Sequence, residues 1–157
     1  MTPQTATARD VLKAYELGLN THRFDAVADL IASDAAVWFS DGNHRGIGAI
    51  EAAFEKTWQI LNNDTYWLDE VEWRGESETV AACIYRFNWK SEVDGRVVGG
   101  FGRGTTVLRC ICRPLANRPR ASEPKPRLSY GFKQLLVAAL APSAVDRARA
   151  GYRRRGI

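Results

Sequence analysis

The sequence predicts an α+β fold, with helices in the first part of the chain and strands after them. Up to Leu61, apolar residues recur at the three- to four-residue spacing of amphipathic helices. From Trp67 onward, apolar and polar residues alternate, as they do in half-buried strands. An Asp94-Gly95 pair joins two alternating stretches and is a strong signal for a two-residue hairpin turn.

Three helices are predicted before the long strands. The first has an apolar stripe of Ala8, Val11, Leu12, Tyr15 and Leu19. The second is short, with Asp25 as its N-cap and a stripe of Val27, Leu30 and Ile31. The third runs from about Gly48 to Leu61, with a stripe of Ile47, Ile50, Phe54, Trp58 and Leu61. Because each helix buries one face, we expect the functional site in the concavity between helices and sheet.

Two strands are predicted around the third helix. The first is at Val37-Trp38-Phe39, because β-branched and aromatic residues favour strands. The polar segment from Asp41 to Gly46 follows it and is predicted to be a loop, since Asp, Asn and Gly favour turns. The second runs from Trp67 to Arg74, and its alternation places on one face Trp67, Asp69, Val71 and Trp73.

The Asp94-Gly95 turn sets the register of the next two strands. It pairs Val93 with Arg96, and the same register places three aromatic residues opposite three glycines: Tyr85 with Gly104, Phe87 with Gly102, and Trp89 with Gly100. Glycine weakens a strand unless a large neighbour needs the space, so the pattern predicts aromatic rings over bare backbone. The register also sets Arg86 opposite Arg103, which is unfavourable unless an acid, a ligand or open water lies beside them.

Composition limits the class of protein. The 157 residues suffice for one domain, or one domain with an appendage, and an apolar content of 45% supplies a core. No apolar run approaches the roughly 18 residues that span a bilayer, and the first residues lack the apolar stretch of a secretory signal. A cytoplasmic location without a membrane partner is therefore expected. The cysteines Cys83, Cys110 and Cys112 are expected to be reduced thiols, and no metal is expected because a second ligand pair is missing.

Charge divides the chain into two regions. Residues 1–108 carry 10 Lys and Arg against 16 Asp and Glu, whereas residues 109–157 carry 12 against 2. The sequence predicts a domain over residues 1–112 and a basic, Pro- and Arg-rich tail over residues 113–157 that is solvated and partly disordered. The aromatic residues of the tail do not alternate with basic ones as in nucleic-acid-binding modules, so no nucleic-acid partner is expected.

Over residues 8–110, the chain carries a first helix with a tyrosine, the segment DAAVWFSDG, a third helix and strands ending in FGRGTTVLR. This order resembles the nuclear transport factor 2-like superfamily, which includes the ketosteroid isomerases and the SnoaL-like polyketide cyclases. The resemblance implies a cone-shaped, cystatin-like fold, in which a curved antiparallel sheet wraps around three helices and its mouth binds a small apolar molecule. It also implies a homodimer through the outer face of the sheet and no cofactor.

Candidate catalytic residues are Tyr15, Asp41 and Asp69. The resemblance places Tyr15 where the isomerases have the tyrosine that hydrogen-bonds the substrate oxyanion. The position of their general base is Phe39 here, and Asp41 lies two residues further on. Asp69 is a separate candidate, because a carboxyl group on an apolar face has a raised pKa and can move a proton. The structural alternatives are a core tyrosine, a loop-forming Asp41, and an Asp69 at the end of the sheet in solvent.

Candidate substrate contacts are the aromatic residues expected near the concavity and one arginine: Trp38, Phe39, Phe54, Trp58, Tyr85, Phe87, Trp89 and Arg103. Arg103 and Arg86 together have the geometry to clamp a carboxylate. The alternative is a pair of arginines that faces solvent or a dimer interface.

The sequence leaves the last strand and the activity open. Leu128–Ala141 is an apolar run that forms either a strand or a short helix, and a strand there would complete the sheet. Otherwise the sheet lacks an edge, or the reading frame of the gene has shifted near codon 110. The function predicted is small-molecule binding in an apolar pocket, with isomerase- or cyclase-type proton transfer if the domain is an enzyme. The alternatives are a non-catalytic binding or dimerisation module and a degraded, inactive family member.

Overall fold

The computed structural model describes residues 6–39, 41–61, 63–112 and 130–140. The proline-rich segment and the basic C-terminus lie outside these ranges. The helices are α1 (Ala8–Leu19), α2 (Asp25–Ala28) and α3 (Ile47–Ile60). The strands are β1 (Ile31–Phe39), β2 (Gly42–Arg45), β3 (Thr65–Glu76), β4 (Val80–Val93), β5 (Arg96–Cys112) and β6 (Tyr130–Leu140).

In the described part of the chain, six strands form one curved sheet in the order β2-β1-β6-β5-β4-β3. Neighbouring strands are antiparallel except for β1 and β6, which run parallel. The helices pack on the sheet and form the α+β cone that the sequence predicts. The apolar run over residues 128–141, which the sequence left open between strand and helix, contributes β6. Within the described ranges, each helix is too short or too polar to cross a membrane.

The helices follow the predicted apolar stripes, with one correction at α2. A capping box begins α1: the Asp10 amide donates to Thr7 Oγ1 over 3.2 Å, and the Thr7 amide donates to Asp10 Oδ2 over 2.8 Å. The predicted N-cap of α2 is wrong, since Asp25 is its first helical residue and Phe24 is the cap. Asp25 instead pairs with Arg23. The helix is a single turn because Ile31 already belongs to β1.

The segment after β1 also differs from the sequence prediction. Residues Gly42 to Arg45 form β2 rather than a loop, and they pair antiparallel with the end of β1, Phe39 opposite Gly42 and Trp38 opposite Asn43. The reversal at Asp41 is therefore a tight hairpin. The turn residues predict the reversal of the chain, but the pairing of β2 depends on the exposed backbone edge of β1.

The β4–β5 hairpin has the register that the sequence predicts, from Val93 opposite Arg96 to Val80 opposite Arg109. Asp94 and Gly95 both have positive φ, 51° and 72°, as a type I′ turn requires. The predicted aromatic–glycine pairs are confirmed, because a Cβ atom added to Gly104 would lie 2.3 Å from Cε2 of Tyr85. One added to Gly100 would lie 2.8 Å from Nε1 of Trp89. Both rings lie over bare backbone.

The predicted common face of β3 is wrong because the strand carries a bulge. Asp69 pairs with Arg86, but the next pair is Glu72 with Ile84, so β3 has one extra residue, and Glu70 takes a positive φ of 51°. Before the bulge, Leu68 packs against the buried cluster of Leu12, Cys83 and Tyr85. After the bulge, Trp73 packs inward beside the start of α1. Trp67 and Trp73 therefore do not share a face.

We predict that Gly104→Ala destabilises the protein by about 1–3 kcal/mol, because the new methyl group overlaps the Tyr85 ring against a rigid backbone. Urea unfolding measures the change. Gly75→Ala is the matched control on β3, since nothing lies within 4 Å of its added Cβ atom. It should change the free energy of unfolding by less than about 0.5 kcal/mol. Equal effects of the two substitutions would contradict the close ring–backbone contact.

Candidate functional site

A cavity of about 160 Å³ lies between the helices and the inner face of the sheet. Its walls come from α1, α3, β1, β3, β4 and the segment that joins α3 to β3. Eight of the lining residues are aromatic. The lining residues are Tyr15, Leu19, Phe39, Phe54, Thr57, Trp58, Leu61, Asp64, Tyr66, Tyr85, Phe87 and Trp89. An apolar cavity of about 150 Å³ is large enough to hold benzene.

Phe54 of α3 is the centre of the aromatic wall. Its ring centroid lies 5.5 Å from that of Trp58 in a stacked arrangement, and 5.6 Å from that of Phe39 edge to face. Tyr15 meets it edge-on at 6.5 Å. Such stacked and edge-to-face pairs hold aromatic side chains in defined positions, so the cavity is largely pre-formed.

Three tyrosines supply hydroxyl groups to this apolar space. The hydroxyl of Tyr85 lies 2.9 Å from Oγ1 of Thr106, and burial raises its pKa to about 12. Burial also raises the pKa of Tyr15 and of Tyr66 well above the ordinary value, because a phenolate would lose its hydration. Both phenols stay protonated, and both residues line the cavity, where a ligand can reach them.

One carboxyl group lines the cavity, that of Asp64, and His22 contacts it. Nε2 of His22 lies 3.1 Å from the main-chain oxygen of Asp64 and 2.9 Å from Oδ1. The imidazole also packs beside Trp58, with 5.8 Å between ring centroids. The Asp64 side chain is only 11% exposed. Burial raises the pKa of Asp64, and the nearby His22 offsets part of this shift.

Seven of the residues proposed from the sequence line this cavity. They are Tyr15, Phe39, Phe54, Trp58, Tyr85, Phe87 and Trp89. Trp38 does not, because it alternates with Phe39 along β1 and is 46% exposed on the other face. Arg103 also lies on the outer face of the sheet, because it alternates on β5 with Gly102 and Gly104, which are on the cavity face.

The two aspartates proposed as catalytic lie outside the cavity. Asp69 lies opposite Arg86 on the outer face of the sheet. The bulge begins only after Asp69, so it does not turn this side chain toward the interior. Asp41 is at the β1–β2 turn, where its carboxylate lies 3.4 Å from Nε2 of His44 and 3.5 Å from Nζ of Lys56. Of the three aspartates considered, Asp64 is the one that reaches the cavity.

The His22–Asp64 pair has no signature in the sequence. Asp64 lies between α3 and β3, and His22 lies in the turn that follows α1. The two residues are 42 positions apart. No local pattern connects them, and only the packing of the α1–α2 turn against the start of β3 brings them together. Tyr66 was also missed, one residue before the predicted strand.

Within the described ranges, no group of three or more His, Cys, Asp or Glu side chains could hold a metal ion. The polar side chains among the described lining residues are those of the three tyrosines, Thr57 and Asp64.

Comparison with solved structures identifies the fold. A nuclear transport factor 2-like superfamily protein from Salmonella enterica matches with a TM-score of 0.66 at 14% identity, over 85% of this chain and 87% of that one. A candidate aromatic ring hydroxylase from Novosphingobium aromaticivorans matches with a TM-score of 0.64 at 20% identity, over 85% and 87%. A nuclear transport factor 2-like protein with a cystatin-like fold, also from N. aromaticivorans, matches with a TM-score of 0.60 at 17% identity, over 89% and 84%.

At these identities the likeness shows the fold, and at that level it confirms the resemblance inferred from the sequence. No family model matches the chain, and no curated protein matches it.

We predict that Asp64→Asn stabilises the protein more at about pH 7 than at about pH 3.5. Folding raises the pKa of Asp64, so the folded state binds this proton more tightly than the unfolded state does. The stability of the wild type therefore falls as pH rises from the unfolded-state pKa of Asp64 through its folded-state pKa. Asparagine does not ionise and avoids this loss. Urea unfolding of both proteins across this pH range measures the difference.

Asp29→Asn is the matched control for this experiment, since it removes one negative charge at an exposed position just after α2. If the gain in free energy of unfolding of Asp64→Asn over the wild type grew as pH fell, the result would contradict the burial of this carboxyl group at the cavity.

Proposed function

We propose that this domain, which has the nuclear transport factor 2-like fold, binds one small, mostly aromatic molecule in the cavity between helices and sheet. The observation that supports this most strongly is the lining, in which eight aromatic side chains enclose the space and only a few polar groups reach it. Ligand sites in proteins have this composition, because apolar area supplies affinity and a few polar atoms fix orientation.

The volume of the cavity limits the size of the ligand. Cavities for drug-sized molecules measure about 300–1,000 Å³, whereas this one measures about 160 Å³. A single six-membered ring fits, and a fused four-ring steroid does not. One structural neighbour is described as a candidate aromatic ring hydroxylase, and a ligand of this class is consistent with that description.

Proton transfer is the second candidate function. It is favoured by one observation: a carboxyl group, Asp64, and a protonated phenol, Tyr15, line the same cavity. In such a reaction Tyr15 would donate a hydrogen bond to an oxygen on which negative charge develops, and Asp64 would move the proton. Isomerisation, cyclisation and dehydration are reactions of this type.

We also propose that two copies associate through the outer face of the sheet. Apolar side chains are exposed there, including Phe101 at 54% and Trp67 at 39%. The guanidinium of Arg86 lies over the Phe101 ring at 4.3 Å. Two atoms, Nε of Arg86 and Oδ1 of Asp69, are buried without hydrogen bonds. A two-fold arrangement would bring acid and arginine of the two copies together, because each copy presents both on this face.

We predict that Leu19→Phe abolishes ligand binding, because the larger side chain fills the cavity that Leu19 lines. The readout is the rise in melting temperature with single-ring compounds such as phenol or indole. At a ligand concentration about 100 times Kd, the wild type should gain about 5–10 °C.

Leu17→Phe is the matched control on the same helix, since Leu17 is 58% exposed. It should keep the full ligand-induced rise. The proposal fails if the two variants respond alike, or if no single-ring compound raises the melting temperature of the wild type.

We predict that Phe101→Glu converts a dimer into monomers, because it places a charge in the centre of the exposed apolar face. Sedimentation velocity at matched concentrations measures the state of assembly. Leu17→Glu is the control, as it introduces the same charge at an exposed helical position. A wild type that sediments as a monomer at high concentration would disprove this association.

A further inference from the structure

The described residues that line the cavity include one acid and no Lys or Arg. That acid is Asp64. Arg103, which the sequence analysis considered as a carboxylate clamp, lies on the outer face between two inward-facing glycines. Among the described lining residues, a ligand in the cavity therefore meets the carboxyl group of Asp64 without a Lys or Arg beside it.

The aromatic rings add to this polarity. The faces of aromatic rings carry partial negative charge, and cations bind over them. Two tryptophans, Trp58 and Trp89, line the cavity, and indole is the most favourable ring for a cation. Binding sites for organic ammonium groups combine aromatic walls with such negative charge, because the rings replace water around a weakly hydrated cation.

The carboxyl group of Asp64 is poorly compensated inside the protein. Oδ1 is buried, and its one close polar contact among the described residues is with His22. His22 is the titratable residue that faces it: Nε2 lies 3.1 Å from the main-chain oxygen and 2.9 Å from Oδ1. The other ionisable groups that line the cavity are tyrosines, which stay neutral. A buried carboxylate with so few partners is unfavourable unless a further donor or cation arrives.

We infer that the ligand of this cavity is a small organic cation, an ammonium group attached to an apolar body no larger than one ring, with the ammonium beside Asp64. This inference rests on the proposed ligand-binding function and adds the charge of the ligand to it. Anionic ligands are excluded by the same arrangement, since a carboxylate would enter an apolar space that already holds an acid.

Three probes with the same ring separate charge from shape: benzylamine, benzyl alcohol and benzoate. Calorimetric titration at about pH 7 should give benzylamine an affinity at least about tenfold higher than benzyl alcohol, as expected for a charge-assisted contact. Benzoate should not bind. Asp64→Asn should remove the preference for the amine over the alcohol, whereas Asp41→Asn, which removes an acid outside the cavity, should keep it.

A pH series with tetramethylammonium, whose charge does not change, provides an independent measurement. Its affinity should rise as pH increases through the raised pKa of Asp64, because this carboxyl group then loses its proton and the site becomes more negative. A flat or falling profile would contradict the role of Asp64.

The outcomes distinguish this inference from the function on which it rests. Equal binding of benzyl alcohol and benzylamine, or tighter binding of benzoate, would overturn the cationic ligand while small-molecule binding stands. Binding of none of the three probes by the wild type would overturn both. Retention of the amine preference in Asp64→Asn would also overturn the inference, and binding of benzyl alcohol by that variant shows that its cavity is still folded.

Discussion

The close contact between aromatic rings and glycine backbone across β4 and β5 is the constraint on which the rest of the structure depends. Tyr85 and Trp89 lie over β5 only because Gly104 and Gly100 have no Cβ atom in that space. The rings thereby form a flat, apolar floor on the concave side of the sheet. The helices pack over this face of the sheet through their own side chains, above all Phe54 and Tyr15. The cavity is the space that remains between the helices and the rings.

The same strands serve two surfaces with different chemistry. On β4, Tyr85 and Phe87 point into the cavity, while Arg86 between them points to the outer face. The strict alternation of a strand separates the two sets of side chains. A substitution on the inner face therefore acts on the cavity, and its neighbour in sequence acts on the outer surface. The bulge after Asp69 in β3 interrupts this alternation, so Trp73 covers the start of α1 while Asp69 stays on the outer face.

Polar groups in the cavity are retained at some cost to stability. Tyr15 and Tyr66 line the cavity, and buried Oδ1 of Asp64 has His22 as its one close polar contact among the described residues. A folded core normally satisfies buried polar groups more fully. Tyr85, on the same wall, is satisfied by Thr106. Tyr85 is therefore a core tyrosine, whereas Tyr15, Tyr66 and Asp64 are available to a ligand. Sites that bind ligands commonly carry such unsatisfied groups, because the ligand completes their hydrogen bonding.

The sequence by itself determined the order of the elements, the apolar stripes of α1 and α3, and the complete register of the β4–β5 hairpin. These features depend on local preferences: the helical repeat, the alternation of a strand, and a turn whose two residues accept positive φ. Tertiary structure decided which acid reaches the cavity, because Asp64 meets His22 only when segments distant in the chain are packed together. It also decided the β3 bulge and the insertion of β6 between β1 and β5, since both depend on partner strands that no local pattern specifies.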